Sequence, residues 1–198
     1  MAVIAQAART ASAVAKNACT VIGLDDKQFE AALQAKPEFA LALMAIMNQR
    51  LRSTISRLHA ARTLHAGEAK DSGAIDTKLF AGLQRLLASQ KPATFAKGTM
   101  IMQEGTPGST MFIVAEGRGN ISIKAGIVGR VGPGGVFGEM ALVDQSPRSA
   151  SAFADTDCAL LALNRETFLQ LIKTSPAFGA SILAAIAARA TDLAERGK

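Results

Sequence analysis

The sequence predicts a mainly β fold with flanking α-helices: an antiparallel sandwich or barrel preceded by a helical segment. Three observations carry this. After Lys91 and Pro92 the hydrophobic period falls to two, and glycines recur at close spacing, as in short strands joined by tight turns. On both sides of that stretch, apolar residues recur every three or four positions, the spacing of helices with one buried face. Residues 1–50 also repeat the text of residues 140–189 without a gap.

The repeat sets the organisation. Met1 falls on Met140, Gln6 on Gln145, Arg9 on Arg148 and Cys19 on Cys158. Further on, Phe29 falls on Phe168, Pro37 on Pro176, Phe39 on Phe178 and Arg50 on Arg189. Roughly three in ten positions are identical, and the Cys, Phe, Pro and Arg pairs do not depend on the alanine-rich composition. Residues 1–64 are therefore expected to be a partial, mostly helical C-terminal half of a first copy. Residues 65–75 form a polar linker and 76–198 one complete domain. The chain is expected to begin partway through that first copy.

Within this frame each element has a local cause. Asp25 and Asp26 can cap a helix through Phe29 to residue 35. Pro37 opens a second helix, since a first-turn position needs no N–H. Leu41, Met44, Met47, Leu51, Ile55 and Leu58 form a stripe over 37–63, with Arg50, Arg52, Arg57 and Arg62 beside it. Such a stripe reads as a packing or dimer helix. His59 and His65 read as exposed residues near its end. Leu79, Leu83, Leu86 and Leu87 make a short amphipathic helix. Strands are expected near 93–95, 100–103, 111–115, 119–124, 128–131, 149–154 and 159–163. Asn164 then caps a helix carrying Phe168, Leu171 and Ile172, and Ser175 with Pro176 starts the last one.

Composition narrows the function. Of 198 residues, 49% are hydrophobic and 19% charged, which supplies a core and excludes wholesale disorder. No apolar run reaches 18 residues without a charge, so no transmembrane helix is expected. Two cysteines make no disulfide framework and fit a reducing, cytoplasmic setting. The net charge of +6 is spread along the chain. It bears on solubility and on attraction of anions rather than on a nucleic-acid groove. No Ser–His–Asp set, metal cluster or paired catalytic carboxylates stand out, so a binding protein is expected rather than an enzyme.

The chemistry concentrates in Gly135-Val136-Phe137-Gly138-Glu139-Met140-Ala141-Leu142 and the following Pro147-Arg148-Ser149-Ala150. Glycines allow close backbone approach to a ligand. Residues 139–142 have the composition of one helical turn, whose first N–H groups can face an anion. A buried glutamate can accept from a sugar hydroxyl. Arg148 can return across the loop and grip a phosphate with two parallel bonds.

These residues resemble the phosphate-binding cassette of the cyclic nucleotide-binding domain. That family includes catabolite activator proteins, the regulatory subunits of cyclic AMP-dependent kinase and cyclic-nucleotide-gated channels. Upstream, Lys97-Gly98, Gln103-Glu104-Gly105 and Met111-Phe112-Ile113-Val114-Ala115-Glu116-Gly117 resemble the family's early strands and glycine turns. The resemblance covers about 77–198 and implies an eight-stranded antiparallel jelly-roll barrel flanked by helices. It implies that Glu139 accepts from the ribose 2′-hydroxyl, with Gly138 giving close approach beside Met140. The N–H of Ala141 and the side chain of Arg148 would clamp the cyclic phosphate. Ser149 would touch phosphate and purine, Ile121 would pack on the base, and Arg189 would sit on a lid helix over 176–196.

The expected ligand is cyclic AMP, preferred over cyclic GMP, with no metal. A homodimer through helix 37–63 is the partner expected beside it; neither membrane nor DNA is expected. The first copy keeps Arg9 but has no Gly-Glu pair before Met1, so it is expected to bind no nucleotide. Two rivals of other classes stand beside this reading: a non-sensing scaffold of the same fold, and a fragment of a transcription regulator.

Overall fold

The structure is a computed structural model describing Ile4, Arg9 and residues 12–60, 75–87, 90–124 and 126–196. Two helices come first, α1 (Asp26–Ala35) and α2 (Pro37–Ala60), then α3 (Thr77–Leu86). Strands β1 (Ala93–Phe95), β2 (Met100–Met102), β3 (Thr110–Glu116), β4 (Gly119–Ile123), β5 (Gly126–Val131) and β6 (Val136–Phe137) follow. Helix α4 (Glu139–Asp144) leads into β7 (Ser151–Ala154) and β8 (Cys158–Asn164). Helices α5 (Arg165–Thr174) and α6 (Pro176–Arg196) end the chain. The linker apart from Ile75, the Met1 and Gln6 pairings, Arg62, residues 61–63 of the expected second helix and the His59 and His65 side chains lie outside the described residues.

The strands form two four-stranded antiparallel sheets, ordered β1-β8-β3-β6 and β2-β7-β4-β5, the two layers of a jelly roll. The expected strands occur with ends displaced by one or two residues. The strand expected at 149–154 begins only at Ser151, and β6 was not expected at all. β6 has two residues, too few to show a period, yet its Phe137 sits opposite Phe112 of β3 with the rings stacked 5.3 Å apart.

Strands β3 and β8 are buried on both faces, so their text is continuously apolar. Phe112, Val114, Cys158 and Leu160 point into the barrel; Met111, Ile113, Leu161 and Leu163 point out, into a core shared with the helices. Helix α2 lays Met44, Met47 and Leu51 into that second core beside Ile182, Leu183 and Ile186 of α6. Of the stripe read as a packing or dimer face, Met44, Met47 and Leu51 are buried within the chain, and Leu41 and Ile55 are partly buried. One expectation is corrected at α3: Leu83 and Leu87 are buried, whereas Leu86 is 64% exposed. Leu83 and Leu87 stand four apart on one face of the helix, and Leu86 is turned about 100° from Leu87 toward solvent.

The two helical pairs are built alike. Asp25 caps α1 by accepting from Gln28 N–H, and Asn164 caps α5 by accepting from Thr167 N–H. Phe29 meets Phe39 edge-on at 6.0 Å, and Phe168 meets Phe178 edge-on at 6.0 Å. Each pair is joined through one extended residue, Lys36 or Ser175. The segment before α1 is not built like its counterpart. Val14, Val21, Ile22 and Leu24 are exposed, while Leu160, Leu161 and Leu163 are strand core. Arg9 is exposed as well.

Over Pro176–Ala194, α6 is long and apolar enough to cross a membrane by length and composition, with a mean hydropathy of 1.3. Here its apolar residues pack on α2 and α5, and that packing explains the composition.

Candidate functional site

The site grows from the turn between β6 and α4. Gly138 has φ +81°, a left-handed value that glycine adopts without strain. A Cβ there would stand 2.7 Å from Arg148 Nη1 and 3.2 Å from the Thr110 carbonyl, so space demands glycine too. The turn starts α4 with Glu139, whose side chain is 0% exposed. One carboxylate oxygen, Oε1, accepts from Arg189 of α6, which also donates to the Val136 carbonyl. The other, Oε2, is buried with no hydrogen-bond partner.

Arg148 is the second charged group, 8% exposed. It donates to the Gly138 carbonyl at 2.8 Å and the Thr110 carbonyl at 2.5 Å. Its own backbone is pinned by Thr106, which accepts its N–H at 2.9 Å, and by Gly105, which donates to its carbonyl at 2.9 Å. Among the described residues no carboxylate forms an ion pair with Arg148. Burial pulls its pKa below the ordinary arginine value, against the opposing pull of nearby Glu139. A cation in that position is stabilised by an incoming anion.

Both groups open into one cavity of about 190 Å³. All eight residues singled out from the sequence line it: Ile121, Gly138, Glu139, Met140, Ala141, Arg148, Ser149 and Arg189. The Ser149 hydroxyl lies 3.3 Å from Met140 Sδ. The cavity is lined by charged Glu139, Arg148, Arg189 and Asp192 and by apolar Ile121, Ile123, Val128 and Leu193. Among the described residues no group of three or more His, Cys, Asp or Glu is placed to hold a metal ion.

Sequence reasoning missed three kinds of residue here. Thr110 and Gly108 hold Arg148 through a carbonyl and through bare space, which leave no side-chain signature. Met102, Ile123 and Val128 complete the barrel wall and read only as strand text. Leu51 and Ile55 enter the cavity from α2; their stripe was visible, but its destination was not.

The family model described as the cyclic nucleotide-binding domain matches residues 92–175. That segment is a cyclic nucleotide-binding domain. Over 94 residues the chain is 37% identical to the cyclic nucleotide-gated potassium channel mll3241 of Mesorhizobium japonicum, covering 48% of this chain and 26% of the channel. Over 100 residues it is 37% identical to the Cyclic AMP receptor protein of Thermus thermophilus, covering 48% of this chain and 46% of that protein. The chain thus spans less than half the length of either relative. A solved structure of the Thermus thermophilus Catabolite Activator Protein aligns at 33% identity and a TM-score of 0.48, covering 54% of this chain and 53% of that one. The cyclic nucleotide-binding domain contains β1 to β8 and α5; α6 and the N-terminal helices lie outside the match.

Proposed function

We propose that this chain is a cyclic nucleotide sensor that prefers cyclic AMP and acts by binding rather than catalysis. One observation carries the reading. Among the described residues, a fully buried carboxylate with an unpartnered oxygen and a buried guanidinium without an ion pair line the same cavity. A lone buried acceptor costs about 1–3 kcal/mol, which a donating ribose 2′-hydroxyl on Glu139 would recover. The cyclic phosphate takes Arg148 and the N–H of Ala141, with Gly138 leaving room. Ser149 touches phosphate and purine, and Ile121 packs on the base.

Arg189 already occupies the other Glu139 oxygen. It ties α6 over the cavity, and ligand entry rearranges that contact as α6 closes on the base. Only a difference in affinity between the open and closed arrangements can drive such a shift. The preference for cyclic AMP follows from Ser149. Its short hydroxyl lies against Met140 Sδ, which works against reaching a guanine 2-amino group.

The same reading takes residues 1–64 as a partial first copy that binds no nucleotide. The like construction of the two helical pairs supports it, as does the exposure of Arg9. Cys19 and Cys158 are free thiols, which suits a reducing cytoplasm.

Calorimetric titration of the chain with cyclic AMP and cyclic GMP tests the proposal, with Arg148→Ala alongside. The parent is expected to bind cyclic AMP more tightly at one site per chain. The variant should lose about 2–5 kcal/mol of binding free energy, as for removal of a buried charge partner. Equal binding by Arg148→Ala would remove the cassette assignment. No heat with either nucleotide would favour a non-sensing scaffold.

A further inference from the structure

Helix α2 lies outside the matched domain, yet it reaches the cavity. Leu51 and Ile55 line it together with Ile121, Ile123 and Val128 of the barrel and Leu193 of α6. We propose that α2 is a wall of the nucleotide site and that Ile55, with Leu51 behind it, contacts the base. This rests on the reading of the cavity as a cyclic nucleotide site.

The lining supplies the first argument. Its charged side chains match a cyclic phosphate and ribose, and the flat, weakly polar purine is left for the apolar side chains that α2, α6 and the barrel contribute. The volume supplies the second. At about 190 Å³ the cavity falls below the roughly 300–1,000 Å³ usual for ligand sites, so its walls stand close together and a nucleotide entering it meets closely spaced side chains.

The third argument is that α2 is fastened to the cassette itself. Arg52 forks onto Asp144 at the end of α4, with bonds of 2.8 and 3.1 Å, and donates to the Pro147 carbonyl at 2.9 Å. One turn earlier, buried Asn48 donates to the Met140 carbonyl at 3.4 Å. These contacts hold α2 against α4 and the start of the loop that carries Arg148. Leu51 lies between them, and Ile55 projects one turn further on. Leu51 is 2% exposed and would serve as core whatever the cavity held. Ile55 is only half-buried, so its remaining surface is free to meet a ligand.

The test is calorimetric titration of the full chain with cyclic AMP and with cyclic GMP, on the parent, Ile55→Ala and Ile55→Leu. A ligand-free melting curve for each separates folding from binding. Ile55→Ala should weaken cyclic AMP binding about tenfold, the effect of apolar groups missing from a ligand pocket, with little change in the ligand-free melting temperature. Ile55→Leu, which conserves volume, should restore most of the affinity. The ratio of cyclic AMP to cyclic GMP affinity should shift in Ile55→Ala, a change that loss of packing alone would not cause. Unchanged binding in Ile55→Ala, while the parent binds and Arg148→Ala does not, would overturn the role of α2 and leave the sensor reading intact. Tighter binding in Ile55→Ala would make α2 a plug rather than a wall and would also overturn it. A parent that binds neither nucleotide removes both readings together.

Discussion

Arg148 is useful only if its guanidinium is held where an anion can reach it. Two main-chain carbonyls accept from it, and Gly108 leaves the space beside it that a side chain would fill. A Cβ at position 108 would lie 2.4 Å from Arg148 Nε and 2.5 Å from its Cζ. Gly108→Ala must therefore move the guanidinium or its loop. The side chain is the softer of the two, so the expected outcome is a folded protein with a displaced cation. Losing one charge-assisted bond is worth about 1.5–3 kcal/mol, so nucleotide affinity should fall about 10- to 100-fold with a nearly unchanged melting temperature. Titration and a melting curve check this, and parent-like affinity would show that Gly108 has no part in placing Arg148. At this scale the sequence was legible where chemistry sits on side chains close together in the chain. Gly138, Glu139, Arg148 and Ser149 stand within a dozen positions of one another. Thr110 contributes a main-chain carbonyl at the start of β3 and Gly108 an absence, and neither leaves a mark in the residue types.

Among the elements, the helices were the most legible because their ends carry their own signals. Asp25 and Asn164, read as caps from the sequence, each accept from the first N–H groups of a helix; Asp76, not read as one, does the same for α3. Asp25 also receives the return bond of a capping box, its N–H donating to Gln28 Oε1 at 3.0 Å. Asn164→Ala and Asp25→Ala should each cost about 1 kcal/mol of stability, since either leaves orphan N–H groups at a helix start. Denaturant melts of the two variants test this. If Asn164→Ala destabilises and Asp25→Ala does not, α1 unfolds independently of the rest. Strand β6 and the exposure of Leu86 were not legible. Two residues show no period, and where neighbouring leucines such as Leu86 and Leu87 both continue a stripe, only the docking of the helix decides which of them is buried. The stripe on α2 was plain, but periodicity says only that a face is covered. It does not say that α6 and the cassette cover it.

For the whole molecule, α4 is a junction. Helix α2 reaches it through Asn48 and Arg52, α5 through Arg165 to the Leu142 carbonyl at 3.1 Å, and α6 through Arg189 to Glu139. A ligand seated on α4 therefore touches the helices before and after the barrel at once. Binding at 100 times Kd should add about 2.7 kcal/mol to stability, by mass action alone. Where that stabilisation appears is the informative part. Hydrogen exchange with cyclic AMP should slow in α4 and α6, and also in α2, although α2 precedes the barrel strands by some thirty residues of sequence or more. In Arg52→Ala the fork to Asp144 is gone, so α4 and α6 should keep their gain while α2 loses most of its own. If protection of α2 does not change in the parent on saturation with cyclic AMP, α2 is not coupled to the cassette, and the bonds from Asn48 and Arg52 serve packing alone.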